Sequence, residues 1–164
     1  MRRLLIDTDT ASDDAVALLM ALRAPDAVVE AITVVAGNVP LDQGVQNALY
    51  VRDLVGSPVP VYAGCPAPIL RPLRTAEDTH GQDGMGDIGL DLGGRTPSSG
   101  HAADVLAQRL LAEPGALTLV TLGPLTNLAV TLLRHPGVVD AIGECVCMIG
   151  TGSGPGNTTS TAEF

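Results

Sequence analysis

The sequence predicts an α/β fold, specifically a doubly wound, mostly parallel open sheet of the Rossmann-like kind. Short apolar and β-branched segments alternate with segments whose apolar residues recur at helical spacing, and Gly or Pro separates many of them. This alternation is typical of parallel strands joined by crossover helices. A chain of 164 residues can bury a sizeable core within one domain.

The first half of the chain predicts three strands and two helices. Residues 4–6 form an apolar strand, and Ser12 is positioned to cap a helix that ends at Ala24-Pro25. A β-branched strand follows over 28–36, and a second helix extends from Pro40 to Gly56. Residues 59–63 form a short strand in which Pro60 indicates an edge position or an irregular strand.

The second half begins with a long segment rich in Gly and Pro, residues 64–100, which we interpret as a lid or active-site loop. A helix over 101–111, a strand over 117–122, a helix from Pro124 to residue 133 and a strand over 145–149 complete the pattern. The Gly-rich stretch after the last strand lacks the spacing of a phosphate-binding loop. A flexible loop around a hydroxylated ligand is the interpretation that we favour.

Four carboxylates lie within eight residues between the first strand and the first helix: Asp7, Asp9, Asp13 and Asp14. Favourable interaction with the helix dipole accounts for Asp13 and Asp14, at roughly 0.3–1 kcal/mol each. It leaves Asp7 and Asp9 unexplained, at the carboxyl end of a strand where α/β sheets place ligands. A hard divalent cation, Ca²⁺ or Mg²⁺, would neutralise the whole cluster.

Right-handed crossovers bring the carboxyl ends of all parallel strands to one edge of the sheet. That edge is therefore expected to gather the residues that follow the strands. They are Asp7, Asp9, Asp13, Asp14, Asn38, Leu122 and Asn157.

Composition excludes several classes of partner. The net charge of −9 and the scarcity of aromatic residues argue against a nucleic-acid partner. Asp7 ends the first apolar run too early for a signal peptide, and no later run is long enough to cross a membrane, so we expect a cytoplasmic protein without a membrane partner. We expect the three cysteines, Cys65, Cys145 and Cys147, to be buried reduced thiols, the last two on one face of a strand.

The chain resembles the inosine-uridine preferring nucleoside hydrolase family along its whole length. The most specific element is the acidic segment from Asp7 to Ala15, with the pattern Asp-x-Asp-x-x-x-Asp-Asp-Ala. Five further motifs follow in order: Gly37-Asn38-Val39, Val59-Pro60-Val61-Tyr62-x-Gly64, His80-Gly81, Gly123-Pro124-Leu125-Thr126-Asn127, and the final run from Gly156 through Asn157 to Glu163-Phe164.

The resemblance implies a role for each matching residue. Asp9 and Asp14 would bind Ca²⁺ with the backbone carbonyl of Leu122, and Asp7 would orient these ligands from behind. The remaining implied contacts are to the substrate. Asp13 and Asn38 would hold ribose hydroxyls, Asn157 and Glu163 would contact the far side of the sugar, and His80 would act from the lid.

The implied activity is hydrolysis of the N-glycosidic bond of a ribonucleoside to ribose and free base, in nucleoside catabolism and salvage. Nearby carboxylates would stabilise an oxocarbenium-like sugar, while a Ca²⁺-bound water attacks the anomeric carbon and Asp9 serves as general base. The partner would be a small-molecule nucleoside, and full-length relatives are expected to be homo-oligomers.

The departures from the family pattern also carry expectations. The family's late Asp and late His have no counterpart, so we expect residues 1–164 to be the N-terminal part of a single domain whose sheet is incomplete on its C-terminal side. Two alternatives stay open. One is a haloacid dehalogenase-like Mg²⁺ phosphatase, since residues 4–9 also resemble the first motif of that family. The other is a truncated, non-catalytic fragment that binds sugar and cation.

Overall fold

The computed structural model describes residues 1–151, 154–156 and 160. The elements along the chain are β1 (Arg2–Thr8), α1 (Ser12–Arg23), β2 (Ala27–Val34), α2 (Leu41–Leu54), β3 (Val61–Ala63), α3 (Glu77–His80), α4 (Ala102–Ala112), β4 (Thr118–Thr121), α5 (Thr126–Arg134), α6 (Val138–Ala141) and β5 (Glu144–Cys147).

The five described strands form one parallel sheet in the order β3-β2-β1-β4-β5. This arrangement confirms the predicted α/β fold with a parallel sheet. It also confirms the edge position that Pro60 indicated, because β3 pairs with β2 alone among the described strands. The central strand β1 lies between β2 and β4, so the acidic segment begins in the middle of the sheet.

Each face of the sheet buries its own apolar cluster, because successive strand residues point to opposite faces. Ile6, Ile32 and Val34 pack with residues of α1 and α2 on one face. Leu5, Ala31 and Leu119 pack with residues of α4, α5 and α6 on the other. By the same alternation Asp7 lies on the α4–α5 face, and Thr8 on the face of α1 and α2.

Several predicted details are wrong. Ser12 is the first residue of α1 rather than its cap; Ala11 is the cap, and no side-chain capping bond forms there. Helix α5 begins at Thr126, two residues after Pro124. The strands β2 to β5 are shorter than, or offset from, their predicted ranges.

The cysteine prediction holds only in part. Cys65 is buried, but Cys145 is exposed and Cys147 half-buried on β5, and all three are free thiols. The Sγ atoms of Cys145 and Cys147 lie 3.3 Å apart, as expected for two residues on one face of a strand. Among the described residues, no helix combines the length and apolar character needed to cross a bilayer.

Candidate functional site

The acidic segment follows the central strand and lies among the carboxyl ends of three neighbouring strands. The backbone carbonyl of Asp7 accepts from the N–H of Leu122 at 2.8 Å, which joins the end of β1 to the end of β4. The carbonyl of Thr8 accepts from the N–H of Val35 at 3.0 Å, which joins β1 to the end of β2. The predicted convergence at this edge is thus observed for the ends of β1, β2 and β4.

Asp9 is fully buried where these strand ends meet. Its Oδ2 accepts from the backbone N–H of Asn38 at 2.6 Å, and its Oδ1 has no partner among the described residues. Two glycines make room for this carboxylate: a Cβ on Gly37 would overlap Oδ2, and a Cβ on Gly123 would lie 2.5 Å from Oδ1. Burial raises the pKa of Asp9 above its ordinary value.

Asp14 is the second buried carboxylate, in the first turn of α1. Its Oδ2 accepts from the hydroxyl of Thr8, which lies on the face of the sheet against which α1 packs. Burial, and then the charge of Asp9, raise the pKa of Asp14 to about 7. Asp9 and Asp14 therefore form a pair of like charges withdrawn from water, an arrangement that is costly unless something compensates it.

Asp7 is fully buried behind this pair. Its Oδ1 accepts from the hydroxyl of Thr33 and, at 2.8 Å, from the side-chain amide of Asn127, whereas Oδ2 has no described partner. Burial raises the pKa of Asp7 to about 7, against the opposing effect of these two hydrogen bonds.

The residues present fit a hard divalent cation. The available donors are carboxylate and carbonyl oxygens, two carboxylates are adjacent and buried, and Asp9 Oδ1 has no hydrogen-bond partner among the described residues. The close approach of Gly123 to that oxygen brings the loop after Leu122 directly against Asp9. The part of the chain that the structure describes contains no group of three or more His, Cys, Asp or Glu side chains arranged for a metal ion.

Two of the residues predicted to contact substrate, Asn38 and Asp13, lie close to this pair. Asn38 is half-buried beside Asp9, with its backbone N–H on the carboxylate. Asp13 is exposed, and its charge contributes to the raised pKa of both Asp9 and Asp14. Asn157 and Glu163 lie outside the described residues.

The predicted lid segment is anchored next to the site at several points. His80 Nδ1 lies 2.9 Å from the hydroxyl of Ser12 at the start of α1, and Ala76 donates its N–H to the carbonyl of Asn38. The side chain of Asn47 donates to the carbonyls of Thr10 and Asp83, both at 2.9 Å. These contacts place the segment around 76–87 over the acidic loop.

We expect Ser12→Ala to loosen this segment without weakening α1. Loss of one hydrogen bond of about 1 kcal/mol should speed amide exchange over 77–87 roughly fivefold, while α1 keeps its protection because Ser12 provides no cap. Hydrogen exchange measured by mass spectrometry checks this, with Ser12→Thr as the control that retains a hydroxyl. Faster exchange confined to α1 would contradict it.

Three contributors to the site escaped the sequence analysis. The Thr8 hydroxyl holds Asp14, the Asn127 amide holds Asp7, and Gly37 clears space for Asp9. Thr8 lies between Asp7 and Asp9 in the sequence, and Gly37 and Asn127 lie inside motifs quoted above. Their positions could therefore have drawn attention to them, although their contacts could not have been foreseen.

Comparison with known families agrees with this arrangement. The family model described as inosine-uridine preferring nucleoside hydrolase matches residues 4–164. The chain belongs to the inosine-uridine preferring nucleoside hydrolase family. Membership of that family also confirms the recognition made from the motifs.

Individual relatives extend the comparison. The chain is 42% identical to an uncharacterised protein of Schizosaccharomyces pombe and 39% identical to the pyrimidine-specific ribonucleoside hydrolase RihB of Escherichia coli, in each case over 99% of its length. Those alignments cover 53% and 52% of the two relatives. The chain therefore spans about half the length of the curated relatives that it matches.

Solved structures show the same relation. A plant nucleoside hydrolase, the PpNRh1 enzyme, superposes with a TM-score of 0.92 at 34% identity, covering 98% of this chain and 52% of that one. A purine-preferring ribonucleoside hydrolase from Gardnerella vaginalis gives a TM-score of 0.90 at 33% identity, covering 97% and 52%. The fold around the acidic loop is thus that of nucleoside hydrolases.

Proposed function

We propose that residues 1–164 form the N-terminal part of a single nucleoside hydrolase domain that cleaves the N-glycosidic bond of ribonucleosides with Ca²⁺. The observation that carries the proposal is the buried pair of Asp9 and Asp14, whose carboxylates have raised pKa values and leave Asp9 Oδ1 without a described partner. Such a pair gains most from a cation that compensates both charges.

In the proposed site, Asp9 and Asp14 hold Ca²⁺ with the backbone carbonyl of Leu122. Calcium, when bound, supplies positive charge that favours deprotonation of water at neutral pH. Asp9 is the proposed general base for the attacking water, because its carboxylate lies where the ends of the three strands meet, between Gly37 and Gly123. Asp7 lies behind the pair and orients it.

The acidic character of the site also suits the sugar. Cleavage of a glycosidic bond builds positive charge on the ribose, and fixed carboxylates stabilise that charge. Asp13 and Asn38, with Asn157 and Glu163 by resemblance, are proposed to hold the ribose hydroxyls and so to fix its orientation. His80 is proposed to contact the substrate from the lid segment.

The names of the relatives limit what is proposed for the base. One relative is named as pyrimidine-specific and one structural neighbour as purine-preferring, so the proposal extends to ribonucleosides as a class. We further propose a cytoplasmic role in nucleoside catabolism and salvage, and a homo-oligomeric assembly of the full-length enzyme.

Two other functions compete with the hydrolase. Family membership favours the hydrolase over the haloacid dehalogenase-like phosphatase, whose resemblance was confined to residues 4–9. A fragment that binds cation and sugar without turnover remains the second candidate. It is favoured by the donor set, since the described residues contain no group of three or more His, Cys, Asp or Glu side chains arranged for a metal ion, and an incomplete set of ligands favours binding without turnover.

The test is to incubate the purified chain with inosine or uridine, with and without Ca²⁺, and to measure free base by chromatography. Base release that depends on Ca²⁺ and disappears in Asp9→Ala supports the hydrolase. Calcium-dependent thermal stabilisation without base release would assign the chain to the binding fragment instead. The absence of both responses would refute the proposed site.

A further inference from the structure

We propose that Asn127 is a positioning residue, which holds Asp7 and the ends of three strands in the arrangement that the Asp9–Asp14 pair requires. The inference rests on the proposed function only where it concerns affinity for Ca²⁺. Its structural part concerns the contacts of one fully buried amide side chain at the start of α5.

The side-chain amide of Asn127 forms three hydrogen bonds, each to a residue of a different strand or strand end. Its Nδ2 donates to Asp7 Oδ1 at 2.8 Å and to the carbonyl of Val34 at 3.1 Å. Its Oδ1 accepts from the N–H of Cys65 at 2.8 Å. These partners lie in β1, at the last residue of β2, and just after β3, so one side chain fixes the relative positions of three neighbouring strands.

Through Asp7 the hydrogen bonds of Asn127 affect the position of the proposed cation ligands. Thr33 and Asn127 both donate to Asp7 Oδ1, which fixes the orientation of the carboxylate. The backbone carbonyl of Asp7 in turn accepts from the N–H of Leu122. Asp7 thereby links the amide of Asn127 to the loop after β4 and, two residues further along the chain, to Asp9 just after the end of β1.

A neighbouring glycine leaves space for the side chain of Asn127. A Cβ on Gly64 would overlap Asn127 Oδ1, so the chain leaves β3 with no side chain at the point where it passes the amide. Thr131, one turn further along α5, is also fully buried. Among the described residues its hydroxyl bonds to the carbonyls of Ala103 and Asn127 and not to Asp7, so it supplies a control on the same helix.

The test compares Asn127→Ala and Asn127→Asp with Thr131→Val in the full chain. We measure Ca²⁺ affinity by calorimetry, stability by urea unfolding, and exchange of the amides of Leu122 and Asn38, which bond to Asp7 and Asp9. Both Asn127 variants should bind Ca²⁺ 10- to 100-fold more weakly, as expected when a group that orients a ligand is lost. Exchange at both amides should rise at least tenfold.

Asn127→Asp is informative because its added negative charge alone would strengthen cation binding, so weaker binding reports the lost donation to Asp7. Thr131→Val should lose stability while keeping its affinity for Ca²⁺ and both exchange rates.

Equal behaviour of the Thr131 and Asn127 variants would overturn the proposal. If the parent chain binds no Ca²⁺, the proposed function fails, and unchanged exchange in the Asn127 variants would separately refute the positioning role. If one Asn127 variant does not fold, the other is judged by the same criteria.

Discussion

Replacing Asp14 with asparagine should make the calcium-free chain more stable and abolish its stabilisation by Ca²⁺. The substitution removes one of two adjacent buried negative charges, and the introduced amide can donate to Asp9 while still accepting from Thr8. We expect a gain on the order of 1–2 kcal/mol without calcium. The parent chain should gain about 2.7 kcal/mol when Ca²⁺ is present at a hundred times its dissociation constant, and the variant nothing.

Thermal unfolding in chelator and in Ca²⁺ measures both effects. Asp26→Asn is the matched control, because it makes the same charge change at an exposed position and should leave the calcium response intact. A calcium-induced shift that survives in Asp14→Asn would contradict the assigned role of Asp14. A calcium-free variant that is less stable than its parent would contradict the charge argument.

The stability difference between Asp14→Asn and its parent should change with pH in a definite direction. Burial and the charge of Asp9 raise the pKa of Asp14 from 3.8 to about 7, so the folded chain keeps a proton that the unfolded chain releases near pH 4. The contribution of Asp14 to stability is therefore complete below pH 4 and is lost as the pH rises to 7. The advantage of Asp14→Asn in chelator should grow across that window and level off above it.

The convergence of the acidic residues at one edge of the sheet was predictable from the sequence, because residue chemistry and sheet topology indicate the same edge. Asp7 and Asp9 end a strand and Asp14 begins a helix, and a parallel sheet brings such positions to one edge. Asn38 and Leu122 follow neighbouring strands and meet Asp9 and Asp7 there through their backbone N–H groups. Strand order and the central position of β1 reinforce this convergence.

The errors arose where a local pattern competes with a tertiary contact. Ser12 has the residue type of a helix cap, but its hydroxyl lies against His80, which comes 68 residues later. The contacts of Asn127 span 120 residues to Asp7 and 62 to Cys65, so no spacing rule reveals them. Cys145 is apolar enough for a core, yet it lies on a strand whose described partner is β4 alone.

Adding a methyl group at Gly37 should cost the chain both stability and its cation site. A Cβ there would overlap Asp9 Oδ2, the oxygen that accepts from Asn38, and Gly123 blocks retreat on the Oδ1 side. Overpacking in a buried position costs roughly 3 kcal/mol, which lowers the midpoint of thermal unfolding by about 6–12 °C for a chain of this size. Displacement of Asp9 should also remove the calcium response.

Gly137→Ala supplies the control, since Gly137 has a φ of −64° and open space where its Cβ would stand. It should be neutral or slightly stabilising, because alanine narrows the unfolded ensemble. Calorimetry and thermal unfolding of Gly37→Ala, Gly123→Ala and Gly137→Ala therefore separate a general effect of glycine replacement from displacement of Asp9. If Gly37→Ala binds Ca²⁺ as the parent does, the carboxylate can move without loss, and the two glycines do not define the position from which Asp9 is proposed to bind the cation.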